Sequence, residues 1–167
     1  MTDTQKKPLW KNELVWLFLL TSGLFAILYS KFILGGYAYV FTDTGADTMQ
    51  INYAQYGLFS SLFRSGESGY VLQAGLGMDV SSYYPAYLIP YNLLILLAPQ
   101  RLLPWAVLAS AYLKMITISL VGYLFYRKLM QDGIGTMAAA LAWTFSGYVI
   151  LWGQHYGFCT CMALFTV

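Results

Sequence analysis

The run from Leu14 to Leu34, LVWLFLLTSGLFAILYSKFIL, restricts the fold more than any other stretch, because it is apolar throughout except for Lys31 near its end. A helix of this length is ~30 Å long, the thickness of one bilayer hydrocarbon core. The polar segment before it carries Lys6, Lys7 and Lys11, which puts the N-terminus in the cytoplasm under the positive-inside rule. Lys31 then falls near the outer face, where its stem can snorkel. A cleaved signal peptide fits less well: the apolar stretch exceeds a typical signal core, and no A-x-A-like site follows.

Composition points the same way. Hydrophobic residues are 59% of the chain and charged residues 10%, against about 45–50% and about 25% in soluble domains. A soluble domain of this size cannot bury so much apolar surface, whereas lipid-facing helices have no need to. The 15 Tyr and 5 Trp suit membrane interfaces. A net charge of +2 gives no argument for nucleic-acid binding. Cys159 and Cys161, as Cys-Thr-Cys in an apolar run, are too close for an unstrained mutual disulfide and too few for a metal site; they read as small packing residues.

The expected fold is all-α, a polytopic transmembrane helical bundle with a long extracytoplasmic first loop bearing juxtamembrane helices. It divides into a cytoplasmic tail (1–13), a first span (14–34), the outer loop (35–103), a second span (104–126), a cytoplasmic turn (127–133), a third span (134–152) and the start of a fourth (158–167). The last ten residues cover only ~15 Å as a helix, so the chain is expected to be part of something longer. Within the loop, Met49 to Arg64 reads as an interfacial helix, with Met49, Tyr53, Tyr56, Phe59 and Phe63 on one side and Gln50, Ala54, Gly57, Ser61 and Arg64 opposite. Tyr83 to Ala98 is apolar but short, and Pro85 and Pro90 interrupt it. If it crossed, Arg127 and Lys128 would lie outside; if it is re-entrant or interfacial they lie in the cytoplasm, as the positive-inside rule prefers. The second reading is adopted, although it leaves Arg101 on the outer side.

No phosphate loop, dinucleotide fingerprint or paired-His metal motif is present. What stands out is the distribution of acid: of seven carboxylates, Asp43, Asp47, Glu67 and Asp79 fall between the first and second spans. A carboxylate at the outer edge of the membrane can act as general base or bind a cation. Asp47 is the sharpest candidate, although its local pattern fits better the N-cap of a variant capping box with Gln50 at the third helical position, a role compatible with catalysis. Asp43 reads as a turn residue and Asp79 as a loop residue that supports a site. Lys114 lies nine residues into the second span, where a charge costs roughly 2.5–3.5 kcal/mol on insertion scales; it either makes a structural ion pair or meets an anionic ligand. His155, in the outer turn after the third span, is a solvated histidine or a contact to phosphate or metal. Arg64, Arg101 and Lys114 are the cations available to a departing phosphate.

Taken in order, Gly45-Ala46-Asp47-Thr48 with Gln50, Gly75-Leu76-Gly77, Tyr83-Tyr84, Pro90, Asn92, Lys114 and Ser146-Gly147-Tyr148 resemble the N-terminal part of YfhO-family bacterial membrane proteins, which are similar to the GT-C class of glycosyltransferases. The resemblance runs from about Leu14 onward. It implies a membrane enzyme that takes a sugar from a polyprenyl-phosphate donor on the outer face and passes it to a cell-surface polymer such as teichoic acid. It puts the catalytic carboxylate on Asp47, with Asp43 as the neighbouring alternative, and it adds Gln50 to a substrate-binding set of Arg64, Asp79, Arg101, Lys114 and His155. The bilayer, the donor lipid and the acceptor polymer are the expected partners. A divalent cation is the one cofactor left open. The competing expectation is a non-catalytic membrane protein, a transporter subunit or an assembly factor for surface polymers.

Overall fold

A computed structural model describes residues 12–40, 47–67, 69–72, 77–79, 89–130, 132–153 and 160–162. About 80% of these residues are helical. The first helix, α1 (Glu13–Leu28), starts where the Asn12 side chain accepts the Leu14 N–H at 3.0 Å, with Glu13 in the first turn complementing the helix dipole. It does not run unbroken to Leu34. Tyr29 leaves helical geometry (φ −100°, ψ 15°), and a short α2 (Ser30–Leu34) resumes at once, its Phe32 and Ile33 amides returning to the Tyr29 carbonyl. The expected first span is therefore a bent pair of helices, and its 16-residue first part is short for a crossing by itself.

The loop helix opens as a π-helix over Asp47–Tyr53 and becomes α3 over Ala54–Ser65. Tyr56, Phe59, Ser60 and Leu62 are buried, while Met49 and Phe63 are exposed. The apolar side thus differs from the one expected at 3.6 residues per turn. Wider π turns rotate Met49 off that face, and the last turn of α3 leaves Phe63 beyond the packing. Gly66 ends α3 in the left-handed region (φ 72°), its amide bonding the Leu62 carbonyl. A two-residue ladder then pairs β1 (Tyr70–Val71) antiparallel with β2 (Met78–Asp79).

Of the Tyr83–Ala98 segment, the described part is a 3₁₀ turn (Pro90–Asn92) followed by the five-residue α4 (Leu93–Leu97), ~8 Å of helix. A second 3₁₀ turn (Gln100–Leu102) leads into α5 (Leu103–Leu129), with Pro104 in its first turn, where a missing N–H costs nothing. At 27 residues α5 is ~40 Å long. Asp132 caps α6 (Gly133–Thr144), accepting from Ile134 and Gly135 amides. The stretch read as one third span breaks at Phe145–Ser146, and α7 (Gly147–Trp152) restarts with Ser146 as its cap. Ser-Gly pairs are recurrent kink sites, and the Thr144 hydroxyl, bonded back to the Ala140 carbonyl at 2.8 Å, loosens the turn before it. The helical stretches Gln100–Leu129 and Gly133–Trp152 are long and apolar enough to cross a membrane.

Helices α1 and α5 run antiparallel. Thr21 and Ser119 hydroxyls meet at 2.8 Å, Ser22 and Tyr112 at 2.8 Å, and Glu13 takes the Tyr123 hydroxyl and pairs with Arg127 at 3.7 Å. Helix α6 returns along α5 with Ala140 and Trp143 facing Gly122. Apolar packing divides into a cluster of Leu17, Tyr123 and Ala140 at the Glu13 end, a cluster of Phe59, Leu62, Val71 and Leu96 under α3, and a larger one between them around Tyr29, Tyr56, Ile95 and Val107.

Candidate functional site

Lys114 is the only buried charged side chain among the described residues, 3% exposed. It lines a small cavity walled by Ile95 from α4, Val107, Ser110, Ala111 and Met115 from α5, Tyr29 from the α1–α2 bend, Tyr39, and Val149 and Gly153 from the α7 end. Sequence explains the grouping on α5, since Val107, Ser110, Ala111 and Lys114 recur at helical spacing on one face. The first helix break, at Tyr29, borders this space, and the helix that restarts after the second break reaches it through Val149. The Tyr29 ring stacks on Phe25 with centroids 4.3 Å apart and tilts against Tyr39 at 5.2 Å. The Tyr29 and Tyr39 hydroxyls lie 3.5 Å apart.

The loop helix reaches this region through its aromatic side. Tyr53 and Tyr56 pack on the cluster that includes Ile95 and Val107, and the Tyr56 hydroxyl donates to the Asn92 side chain at 3.4 Å. Burial pushes the Tyr53 phenol above its ordinary pKa, so it stays a hydrogen-bond donor through the neutral range. A second tie lies at the start of α5: the Ala98 carbonyl accepts from Ser60 Oγ at 2.7 Å and from Arg64 Nη1 at 3.1 Å, while Gln100 Nε2 donates to the Gly57 carbonyl at 2.7 Å.

The residues singled out from sequence fall into separate places. Asp47 opens the π-helix, but its side chain lies outside the described residues, as do Asp43 and His155 entirely. Gln50 is exposed on the π-helix, Asp79 is exposed on β2 opposite Tyr70, and Arg101 is exposed in the turn before α5. Arg64 and Arg101 thus flank one turn, Ala98 to Leu102. Lys114 is not with them, for 11 residues of helix separate it from Leu103, roughly 16 Å. Ser110, Tyr29 and Tyr39 were missed. Ser110 was detectable four residues before Lys114; the tyrosines carry no comparable signal, because a bend and a loop bring them in.

Among the described residues no three His, Cys, Asp or Glu side chains gather as a metal site would require. Cys161 is exposed rather than packed. Compared with protein-family models, curated proteins and solved structures, the chain has no match.

Proposed function

We propose that the chain is part of a multi-pass membrane glycosyltransferase of GT-C type, N-terminus in the cytoplasm, which moves a sugar from a polyprenyl-phosphate donor to a cell-surface polymer on the outer face. The observation that carries the reading is one of placement. Asp47 opens a helix whose Tyr53 and Tyr56 pack on the cluster walling the Lys114 cavity, so the first loop is docked on the bundle beside a buried cation. The ordered motifs that resemble the YfhO family support it independently.

In this reading the acceptor hydroxyl attacks the anomeric carbon, its proton passes to the Asp47 carboxylate, and the bond from that carbon to the lipid phosphate breaks. The departing polyprenyl phosphate keeps the electron pair. Arg101, exposed at the mouth of α5, meets that phosphate as the charge develops. Arg64, tied to the Ala98 carbonyl, supports the same turn. Lys114 acts from beneath: a unit charge ~16 Å away, at an effective dielectric of about 20, contributes about 1 kcal/mol.

One observation favours a second reading. Two interrupted helices, broken at Tyr29 and at Phe145–Ser146, both border the Lys114 cavity, and interrupted helices line the sites of many transporters. Inverted membrane vesicles and right-side-out vesicles carrying the intact protein, given a labelled polyprenyl-phosphate sugar, separate the two. The enzyme attaches label covalently to surface polymer; a transporter moves labelled lipid or solute between faces with no new glycosidic bond. Movement without transfer would exclude the enzyme reading.

A further inference from the structure

Ser110 brings to the Lys114 cavity a hydroxyl that has no hydrogen-bond partner, although the residue is only 1% exposed. Native structures rarely leave a buried hydroxyl so. It shares the space with the Tyr29 and Tyr39 side chains and with the Lys114 side chain. An ammonium carries three N–H donors, so Lys114 can meet more than one acceptor. The space amounts to about 20 Å³, and a water molecule needs ~10–15 Å³ and two to four polar partners. Ile95, Val107, Met115 and Val149 contribute only apolar side chains to the walls, so a polar occupant depends on Ser110, Lys114 and the tyrosine hydroxyls.

We propose that the cavity is a binding site for one ordered water molecule, held by Ser110 and Lys114 beneath the tyrosine hydroxyls. The water accepts a hydrogen bond from the ammonium and donates one to Ser110 Oγ, with its second O–H directed at a tyrosine oxygen. The site admits a water and excludes a phosphate group, whose four oxygens do not fit the space. Lys114 is therefore a positioning and electrostatic residue reached through water, and the donor phosphate belongs with the arginines near the start of α5. The hydration site itself stands whether or not the protein transfers sugar.

Radiolytic hydroxyl-radical footprinting of the intact protein in lipid nanodiscs tests this, because radicals formed from an internal water modify the side chains beside it. Tyr39, 1% exposed, and Met115, 3% exposed, are expected to be modified well above Phe59, which is 0% exposed and packed in a separate cluster. Ser110→Ala, which keeps the space but removes a ligand, should lower Tyr39 modification several-fold while leaving exposed Tyr37 unchanged. Ser110→Val, which fills the space, should bring it to the Phe59 level. Tyr39 and Met115 as inert as Phe59 in the wild-type protein would overturn the proposal. So would modification that is unchanged in Ser110→Ala, the variant least able to disturb folding.

Discussion

Ser110 and Lys114 stand one turn apart on α5 and line the same buried space, with Tyr29 at the α1–α2 bend and Val149 of α7 among its other walls. A lysine in this position is costly to insert, roughly 2.5–3.5 kcal/mol. Lys114→Met keeps the side-chain length and removes that cost. The variant is expected to reach the membrane at wild-type level or above, yet to transfer sugar about fivefold more slowly, the rate equivalent of ~1 kcal/mol. Quantified membrane levels beside initial transfer rates decide it; an unchanged rate removes Lys114 from the account.

At the opposite end of α5 the Tyr123 hydroxyl donates to the Glu13 carboxylate, and Arg127 pairs with the same group at 3.7 Å. The two contacts differ in kind. A hydrogen bond to a charged acceptor is worth about 1.5–3 kcal/mol, whereas an exposed ion pair gives about 0.2–1 kcal/mol. Tyr123→Phe should therefore lower unfolding stability in mixed micelles by more than Arg127→Ala. Equal losses would mean the hydroxyl adds nothing beyond the charge.

Gly77 has φ 107°, and a Cβ there would overlap the Tyr70 ring. Two separate penalties fall on Gly77→Ala, a backbone conformation costing about 1–3 kcal/mol and a steric clash. The small ladder of β1 and β2 should open first, seen as faster amide exchange at Val71 and Met78, with α5 protection unaltered. Adding Tyr70→Ala should restore part of the loss, since it removes the clash but not the strain.

The loop between α3 and α4 is expected on the outer face. In a background with Cys159 and Cys161 replaced by serine, Ser68→Cys should react with an impermeant maleimide added to intact cells. Reaction only after the cells are opened would reverse the orientation and with it the outer-face chemistry.

Much of the helical frame was legible in sequence, because a long apolar run is a strong signal wherever its ends are marked by charge or caps. Trp105 to Tyr126 lies within α5, but the break at Phe145–Ser146 falls inside a stretch that reads as one helix, and Ser110 gains meaning only beside the Lys114 cavity. The π-helix was not legible: it shifts the phase of the helix, so Met49, expected on the same apolar side as Tyr56 and Phe59, is exposed while those two are buried. Nor was Tyr39, which reaches the cavity from a loop where neither period applies. Arg64 was read as a polar-face residue. Its side chain does reach outward, but it ends on the Ala98 carbonyl, a long-range contact that no local pattern encodes.

The carboxylate at the start of the loop helix carries the proposed chemistry. Sugar transfer from a labelled polyprenyl-phosphate donor to surface polymer, measured in membranes carrying matched amounts of wild-type protein and Asp47→Asn, tests it directly. General-base assistance is worth roughly 10²–10⁴-fold, so the variant should lose at least about a hundredfold in rate at unchanged membrane level. Transfer by Asp47→Asn at the wild-type rate would contradict the assignment.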